Sequence, residues 1–395
     1  MTTIRTRTDL EARLLASVAR VRPIAEAHAD ASNEAATLHP AVVEVMKQEG
    51  LFALAAPREV GGQGADGRTQ LVVYEAMAHA DPSAGWALMI GAIMNGMMGA
   101  YLPEAAARVI FAEGMPTSAG LQVPTGKARR VPGGFEVTGR WAFGSGIRHA
   151  SWVYTAAVIE GPVEGGPPAF LQFAVPVKRV TIEDTWNTAF LRGSGSNHYR
   201  MEAVFVEEAF TCPYPAAPRR RGGAYFELPF IAMVTPGHIG FALGVARRAL
   251  EEITAIAPRR IKAWHGEALA AQSSFRVELG RRRAALDAAC ALAREVVEMS
   301  MQKAEAGAPL SPEDWASVRA ATTYTTEVAA EVTSFAFRAG GSSAIYAGTV
   351  LERCFRDIHA AAQHIAATDD AYDYAARVRM GETPSNPLLL PRGLA

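Results

Sequence analysis

The fold of this 395-residue chain is decided by residues 133–143, which read GGFEVTGRWAF. Phe135, Val137, Trp141 and Phe143 stand at odd positions, and such alternation is typical of a β-strand with one buried face. The two leading glycines favour a turn before the strand. Because the sequence on both sides has a helical period, this strand indicates a β-domain placed between helical regions.

Further strand candidates follow and are separated by turns rich in glycine and proline. They are Trp152–Ile159, Ala169–Val175, Arg179–Glu183 and Tyr199–Phe205. Together with the first strand they predict a middle β-domain over residues 115–225.

The N-terminal part, residues 1–114, has a helical pattern. Leu10 and its successors repeat at a four-residue interval that places them on one helix face. A short helix is predicted with Pro40 near its start and Gly50 just past its end. Ala84–Tyr101 carries no charge, so we expect a helix that is buried all round.

The C-terminal part, residues 226–395, turns helical again. Ser311 is a predicted N-cap followed by Pro312, and the long helix that begins there stops at Gly340-Gly341. In an earlier helix Gly240 and Gly244 lie four residues apart on one face, which predicts a closely approaching neighbour helix. The chain is therefore predicted to be mainly α-helical with a central β-domain.

Composition excludes several classes of function. The formal net charge is −1, which argues against a dedicated nucleic-acid-binding protein. Three scattered cysteines indicate neither a disulfide framework nor a thiolate zinc site, and they fit a reducing cytoplasm. The first ten residues lack the apolar core of a signal peptide. Ser83–Leu102 is long enough to span a bilayer, but its Asn95 and glycines favour burial inside a soluble protein.

Two common site types are disfavoured. Phe143–His149 holds two of the three glycines of a dinucleotide fingerprint, but His149 stands where the third belongs. His359 and His364 are five residues apart, about 140° around a helix, which is poor placement for one shared metal ion. Neither a nicotinamide site nor metal catalysis is expected.

Three loops rich in glycine and serine could present donors to a ligand. They are Gly144–Gly146, Arg192–Ser196 and Gly340–Ser343. Taken alone, the first two loops are better explained as tight turns, and the third needs glycine only to end a helix, since glycine and serine are common there.

Taken in order, several segments resemble the acyl-CoA dehydrogenase superfamily. They are Glu49–Phe52, Pro57–Gly64, Gly134–Trp141, Arg192–Ser194 with Val204–Val206, Gly340-Gly341 and Arg356-Asp357. The resemblance implies an N-terminal helical domain, a middle β-barrel or sandwich and a C-terminal four-helix bundle.

One departure selects a branch of that superfamily. Relatives usually continue after Arg-Asp with a Tyr-Glu-Gly segment whose carboxylate is a base in many members, whereas here His364 falls near that position. Together with the segments 141–152 and 186–196, this departure makes the chain resemble the flavin-dependent monooxygenases. That branch includes the oxygenase components of 4-hydroxyphenylacetate and steroid-phenol hydroxylases, and dibenzothiophene monooxygenase.

The resemblance implies an enzyme that hydroxylates a small molecule through a flavin C4a-hydroperoxide. The small molecule would be aromatic, such as a phenol, or heteroaromatic. The cofactors implied are O₂ and reduced flavin, FMNH₂ or FADH₂, supplied by a separate NAD(P)H:flavin reductase. Ser145 would accept the flavin N5–H bond, and the ring would lie between the β-domain and the final helix, against Trp141, Phe143 or Trp186. A cytoplasmic homotetramer is expected.

The remaining site residues are implied in the same way. The flavin phosphate would be held by Arg192, Ser194 and Ser196, or by Arg259, Arg260 and Gln272 reaching across a subunit interface, with Gly340 and Gly341 near the cofactor. For these arginines an exposed surface position is an equal alternative.

His364 is the expected acid–base residue, with helical neighbours Ala360 and Ala361 leaving room for a substrate ring; it could donate a proton to the departing oxygen or remove one from a phenol. A structural helix histidine is its alternative. Asn95 is expected near substrate, or bonded only to backbone.

Two other functions stay open at this point. One is an acyl-CoA dehydrogenase or oxidase whose base is relocated, with Glu251 and Glu252 as candidates. The other is a non-catalytic helical oligomer that binds no flavin.

Overall fold

The protein is described here from a computed structural model that covers residues 2–161, 170–214, 218–261 and 266–382. Within these ranges six helices precede an eight-stranded mixed sheet and five follow it. This order confirms the predicted mainly α fold with a central β-domain.

The helices are α1 (Thr2–Ala27), α2 (Ala29–Glu34), α3 (Pro40–Gln48), α4 (Gly67–Ala80), α5 (Pro82–Tyr101), α6 (Glu104–Ile110), α7 (Phe230–Ile256), α8 (Ser273–Glu305), α9 (Pro312–Gly340), α10 (Val350–Ala361) and α11 (Asp370–Arg379). The strands are β1 (Ser118–Ala119), β2 (Gly126–Val131), β3 (Gly134–Gly144), β4 (Trp152–Ile159), β5 (Phe170–Pro176), β6 (Thr181–Glu183), β7 (Asn197–Glu207) and β8 (Thr211–Tyr214).

The chain divides into two compact units. The first unit holds the described residues up to Asp66, with Trp86–Thr188 and Arg192–Glu227. The second unit holds Gly67–Gly85, Ala189–Leu191 and the described residues from Leu228 onward. Because α4 packs along α7, it groups with the C-terminal helices. The three-part division at residues 114 and 225 stays a prediction.

In the first unit the strand order is β6-β7-β3-β2-β4-β5-β8, and β1 pairs with β4. The β1–β4 and β2–β4 pairs are parallel and the others antiparallel. Alternate side chains fill one continuous core, in which Trp141 stacks on Tyr199 and meets Phe173 edge-on.

Helix α5 is buried on every side, as its lack of charge predicted. From Trp86 onward it belongs to the first unit, where its glycines allow close contact with the segment 52–57. A Cβ added at Gly91, Gly96 or Gly99 would lie 2.8–3.1 Å from side chains of that segment. The helix is therefore positioned by backbone approach as well as by apolar burial.

Several predicted boundaries are confirmed. Strand β4 has the predicted limits, α3 begins at Pro40, and a capping box at Ser311 starts α9. Gly341 ends that helix with a φ of +58°. Strands β1, β2 and β8 were not predicted, and the predicted first residue of β5, Ala169, lies outside the described residues.

In the second unit α7 lies against α4 because two glycines remove the side chains between them. A Cβ at Gly240 would lie 2.6 Å from the Leu71 carbonyl oxygen, and one at Gly244 would collide with the Glu75 carbonyl. This confirms the predicted close helix approach. Within the described ranges α7 is the one helix long and apolar enough to cross a membrane, but 83% of its apolar window is buried, as in the core helix of a soluble protein.

A buried carboxylate ties residues 189–191 to α10 in the second unit. Asp357 Oδ1 accepts a 2.6 Å hydrogen bond from the Leu191 N–H, and Arg356 donates to the Ala189 carbonyl. Asp357 is 0% exposed, and its Oδ2 has no partner among the described residues. Burial raises the pKa of Asp357 from 3.8 to about 7.

Gly244→Ala is expected to destabilise the protein, because the added methyl group overlaps the α4 backbone. Overpacking of this kind costs about 1–3 kcal/mol. Gly280→Ala in α8 is the matched control, since its Cβ would meet nothing within 4 Å and alanine is the better helix former. Denaturant unfolding of both variants tests this; equal stability of the two would contradict the packing account.

Asp357→Asn is expected to change how stability depends on pH. The unfolded chain releases this proton near pH 4 but the folded protein releases it near pH 7, so the wild type loses stability as pH rises between these values. Asparagine has no proton to lose. The free energy of unfolding of the variant relative to wild type should rise by about 2–3 kcal/mol from pH 5 to pH 8.

The same substitution at the exposed Asp373 of α11 is the control. Unfolding curves at several pH values provide the measurement. Parallel pH profiles for wild type and Asp357→Asn would show that the buried carboxyl does not behave as described.

Candidate active site

Three buried serines of the first unit meet at the end of β3. Ser145 directly follows that strand, and Ser194 and Ser196 lie in the loop before β7. Ser196 Oγ is 2.8 Å from both other hydroxyl oxygens. The Gly146 N–H donates to the Ser194 carbonyl at 2.9 Å, and Gly146 itself has a φ of +76°, which favours glycine. Two of the three glycine- and serine-rich loops predicted from sequence, Gly144–Gly146 and Arg192–Ser196, thus form one cluster.

Trp86 donates a hydrogen bond to this serine cluster. Its indole Nε1–H donates to Ser145 Oγ at 3.0 Å, and an indole nitrogen has no lone pair with which to accept. The hydrogen bond between Ser145 and Ser196 can run in either direction; when the Ser145 O–H donates to Ser196 Oγ, one acceptor lone pair on Ser145 is left over among the described contacts. In that arrangement Ser145 can accept a hydrogen bond from a ligand N–H without carrying a charge.

The aromatic residues near this cluster divide into two kinds. Trp141 is 0% exposed, and its Nε1 donates to the Ala156 carbonyl, so its indole belongs to the sheet core. Phe143 is 58% exposed, has a φ of +58° and meets Trp186 edge-on with ring centroids 6.4 Å apart. Phe143 and Trp186 are therefore the aromatic residues that a ligand can reach.

Several donors of the predicted anion site at 192–196 are engaged by other protein groups. Arg192 donates to the backbone carbonyls of Asn33 and Thr188 at 2.7 and 3.2 Å. The Ser194 and Ser196 hydroxyls bond to each other. These contacts favour a structural role for the three side chains over phosphate binding.

Asn95 is bonded on all its amide hydrogens. Its Nδ2 donates to the carbonyls of Phe52 and Pro116 at 3.0 and 2.7 Å, and its Oδ1 accepts from Ser118 Oγ at 2.6 Å. It is completely buried. The backbone-bonded alternative is the one these contacts favour.

In the second unit Arg260 lies against the end of α9. Its Nη1 donates to Ser343 Oγ at 3.0 Å, and any side chain at Gly341 would collide with its guanidinium group. The buried Nε of Arg260 and Nε2 of Gln272 have no acceptor among the described residues. Arg259 is exposed. Gly340 and Gly341 are thus near Arg260, and two unused donors fit a polar or anionic ligand.

His364 lies in the turn after α10, because that helix ends at Ala361. The expectation that helical neighbours Ala360 and Ala361 leave space beside its ring is therefore wrong, as is the expectation that this helix is the last, since α11 follows. Its Nδ1 accepts from the Ala366 N–H at 3.2 Å, so the neutral ring carries its proton on Nε2. Part of the residue reaches the surface, yet loss of hydration lowers the pKa of His364 to about 4.

Sequence reasoning missed His238, which contacts His364. It is a buried residue of α7, and the two ring centroids are 4.1 Å apart with planes tilted by 40°. Burial, with the charge that His364 would carry, lowers the pKa of His238 well below its ordinary value. One histidine inside a long apolar helix gives no sequence signal by itself, since such residues are usually structural.

A cavity of about 970 Å³ lies in the first unit and is separate from the serine cluster. His149, Trp152 and Phe210 are among its lining residues, and Ser145 and Asn95 are not. Burial lowers the pKa of His149 to about 4, and its Nδ1 has no partner within the described ranges. His149 was noted in the sequence only as a break in a glycine fingerprint.

Glu251, a candidate base of the alternative dehydrogenase function, is tied to another residue. Its side chain is 63% exposed, and its Oε2 lies 2.7 Å from His79 Nε2. No carboxylate stands between Asp357 and Thr368 in the sequence, where the resemblance places the base of many relatives. Neither this segment nor Glu251 therefore supports a carboxylate base.

Two family models match the chain. They are the acyl-CoA dehydrogenase N-terminal domain over residues 13–106 and the acyl-CoA dehydrogenase C-terminal domain over residues 237–369. Indole-3-acetate monooxygenase of Pseudomonas putida is 31% identical over 345 residues, which is 87% of each chain.

Two further relatives extend this result. The oxygenase component of an FADH₂-dependent resorcinol hydroxylase from a Rhizobium species is 25% identical over 91% of each chain. The solved structure of XiaF from a Streptomyces species, in complex with FADH₂ and glycerol, superposes with a TM-score of 0.90 at 23% identity and covers 98% of this chain and 100% of its own. The chain therefore belongs to the flavin-dependent monooxygenases that share the acyl-CoA dehydrogenase fold.

Proposed function

We propose that this protein is the oxygenase component of a two-component monooxygenase that uses reduced flavin and O₂ to hydroxylate a phenolic or heteroaromatic small molecule. The observation that carries the proposal is the buried Ser145 hydroxyl, which accepts from the Trp86 indole and, when it donates to Ser196, keeps a lone pair for a ligand N–H. One relative is named as a monooxygenase of an indole compound, and another as the oxygenase component of an FADH₂-dependent resorcinol hydroxylase, which supports a separate NAD(P)H:flavin reductase as partner.

The residues present fit a flavin. Reduced flavin, when bound, supplies the two electrons that activate O₂. Ser145 would accept a hydrogen bond from the flavin N5–H, and Phe143 and Trp186 would pack against the ring. FADH₂ is our first choice over FMNH₂, because the resorcinol hydroxylase relative is named for it.

Arg260 and Gln272 would hold the phosphates. Their buried Nε and Nε2 donors lack acceptors among the described residues, which is costly unless a ligand or a partner copy supplies them. We propose that the enzyme is a cytoplasmic homotetramer in which these residues, with Arg259, reach the flavin of a neighbouring copy. Glycine is required at position 341 in this arrangement, because any side chain there would displace the Arg260 guanidinium group.

His364 would act as an uncharged hydrogen-bond donor. Because Nδ1 is occupied by the Ala366 N–H, only Nε2–H can face a ligand from the neutral ring. This favours a hydrogen bond from Nε2–H to a developing oxygen anion over removal of a phenol proton, since the lone pair of the neutral ring, on Nδ1, already accepts from the Ala366 N–H. The ring stays neutral at pH 7 because burial lowers its pKa to about 4.

The function is tested by supplying FADH₂ from an NADH-dependent flavin reductase in air, with indole-3-acetate, resorcinol and other phenols as substrates. We expect hydroxylated product from at least one of them, detected by mass spectrometry, with incorporation of one atom from ¹⁸O₂. Quantitative conversion of reductant to H₂O₂ with every substrate, and no labelled product, would contradict the proposal.

His364→Ala is expected to lower the yield of product per FADH₂ by about 10- to 100-fold, since it removes the hydrogen-bond donor to the developing oxygen anion. His359→Ala is the matched control: that ring lies on α10 against Phe355 and near Ser334 Oγ, and its loss should change the yield less than about twofold. Product and H₂O₂ are measured side by side. Equal losses in both variants would remove His364 from the reaction.

A further inference from the structure

Two histidine rings in the second unit contact each other, and only one of them has a proposed role. His238 is 2% exposed on α7, and its ring centroid lies 4.1 Å from that of His364. That distance is van der Waals contact between ring faces and edges. His238 is thus a buried imidazole in contact with the proposed hydrogen-bond donor His364, and the proposed reaction gives it no role so far.

The helix that carries His238 has little freedom to move. Gly240 and Gly244 hold the α7 backbone against α4, as described above. On another face Thr235 Oγ1 lies 3.3 Å from Thr322 Oγ1 of α9. His238 lies between these contacts, so its ring is presented from a rigid support.

His364, by contrast, comes from a turn and not from a helix. A 3.2 Å hydrogen bond from the Ala366 N–H to its Nδ1 is one contact that sets which way its ring faces. A flip of the ring by 180° would break that bond and move the Nε2 proton to a different place. The His238 ring, packed at contact distance, opposes this flip.

The pair also restricts its own charge. Burial lowers the pKa of both rings, and a charge on His364 lowers the pKa of His238 further. Two imidazolium ions in contact inside the protein would repel strongly. The arrangement therefore keeps both rings neutral at pH 7.

We propose that His238 is a positioning residue that holds the His364 ring in one orientation, as an uncharged donor with its proton on Nε2. This inference rests on the proposed function for its catalytic meaning, but the orientation of His364 is a property of the protein without flavin. The two parts can therefore fail separately.

The test uses purified full-length protein labelled with ¹³Cε1-histidine and ¹⁵N-histidine, studied by NMR at pH 7 without flavin, with His364→Asn to assign the signal. In the wild type we expect His364 as a single Nε2–H tautomer. In His238→Ala we expect its signals to shift toward an average of two tautomers. In His238→Phe, which restores a flat ring, the shift should be largely reversed.

Turnover provides the second readout. His238→Ala is expected to lower product per FADH₂ by at least about fivefold, and His238→Phe to recover part of that loss. His79→Ala is the control, because that histidine pairs with Glu251 elsewhere in the same unit; it should alter neither the His364 signal nor the yield.

The proposal is overturned if wild-type His364 is a mixture of tautomers or carries its proton on Nδ1, a result that needs no variant to fold. It is equally overturned if the His364 signal in His238→Ala matches the wild type, whatever the yield. A shifted signal in an enzyme that hydroxylates nothing would support the positioning role and contradict only the proposed function.

Discussion

The indole N–H of Trp86 is the constraint on which the first unit's polar chemistry depends. It can only donate, so it occupies one lone pair of the Ser145 hydroxyl; when that hydroxyl in turn donates to Ser196, its other lone pair is left for a ligand. A serine alone would rotate and could donate or accept equally well. With both of these hydrogen bonds made, it distinguishes a ligand N–H from a ligand acceptor, which is the difference between reduced and oxidised flavin at N5.

In the second unit, neighbouring groups likewise orient one polar side chain, here the imidazole of His364. Glycines at 240 and 244 let α7 lie on the α4 backbone, which makes His238 rigid. His238 then contacts His364, whose ring Nδ1 accepts a hydrogen bond from the Ala366 N–H. Close helix packing is thus connected, through two rings, to the placement of one proton. The superfamily's glutamate would bring a negative charge, whereas this pair stays neutral.

Much of the fold was predictable from local sequence, because its signals are local. The alternation in Trp152–Ile159 and the capping pattern at Ser311 led to the correct boundaries. Strand β2 was missed because Lys127, Arg129 and Arg130 make it polar, and only its pairing with β3 and β4 stabilises it. The turn at His364 was missed because alanines around it favour a helix.

The site was predictable only in part. The loops at 145 and 194 were recognised by resemblance, but their contact through Ser196 depends on strand register, which a sequence does not display. Trp141 looked as suitable as Phe143 for a ligand wall, and only burial separates them. Trp86 contacts Ser145 and His238 contacts His364, and both partners are distant in sequence. The residues next to Trp86 and His238 therefore give no sign of these contacts.

The most direct measurement compares the dissociation constants of reduced and oxidised FAD, under anaerobic conditions, for wild type, Ser145→Ala and Ser194→Ala. The account predicts that the wild type and Ser194→Ala prefer the reduced form, and that Ser145→Ala loses most of that preference, by about 5- to 10-fold for one hydrogen bond. Equal affinity of the wild type for the two forms, or an unchanged preference in Ser145→Ala, would contradict it.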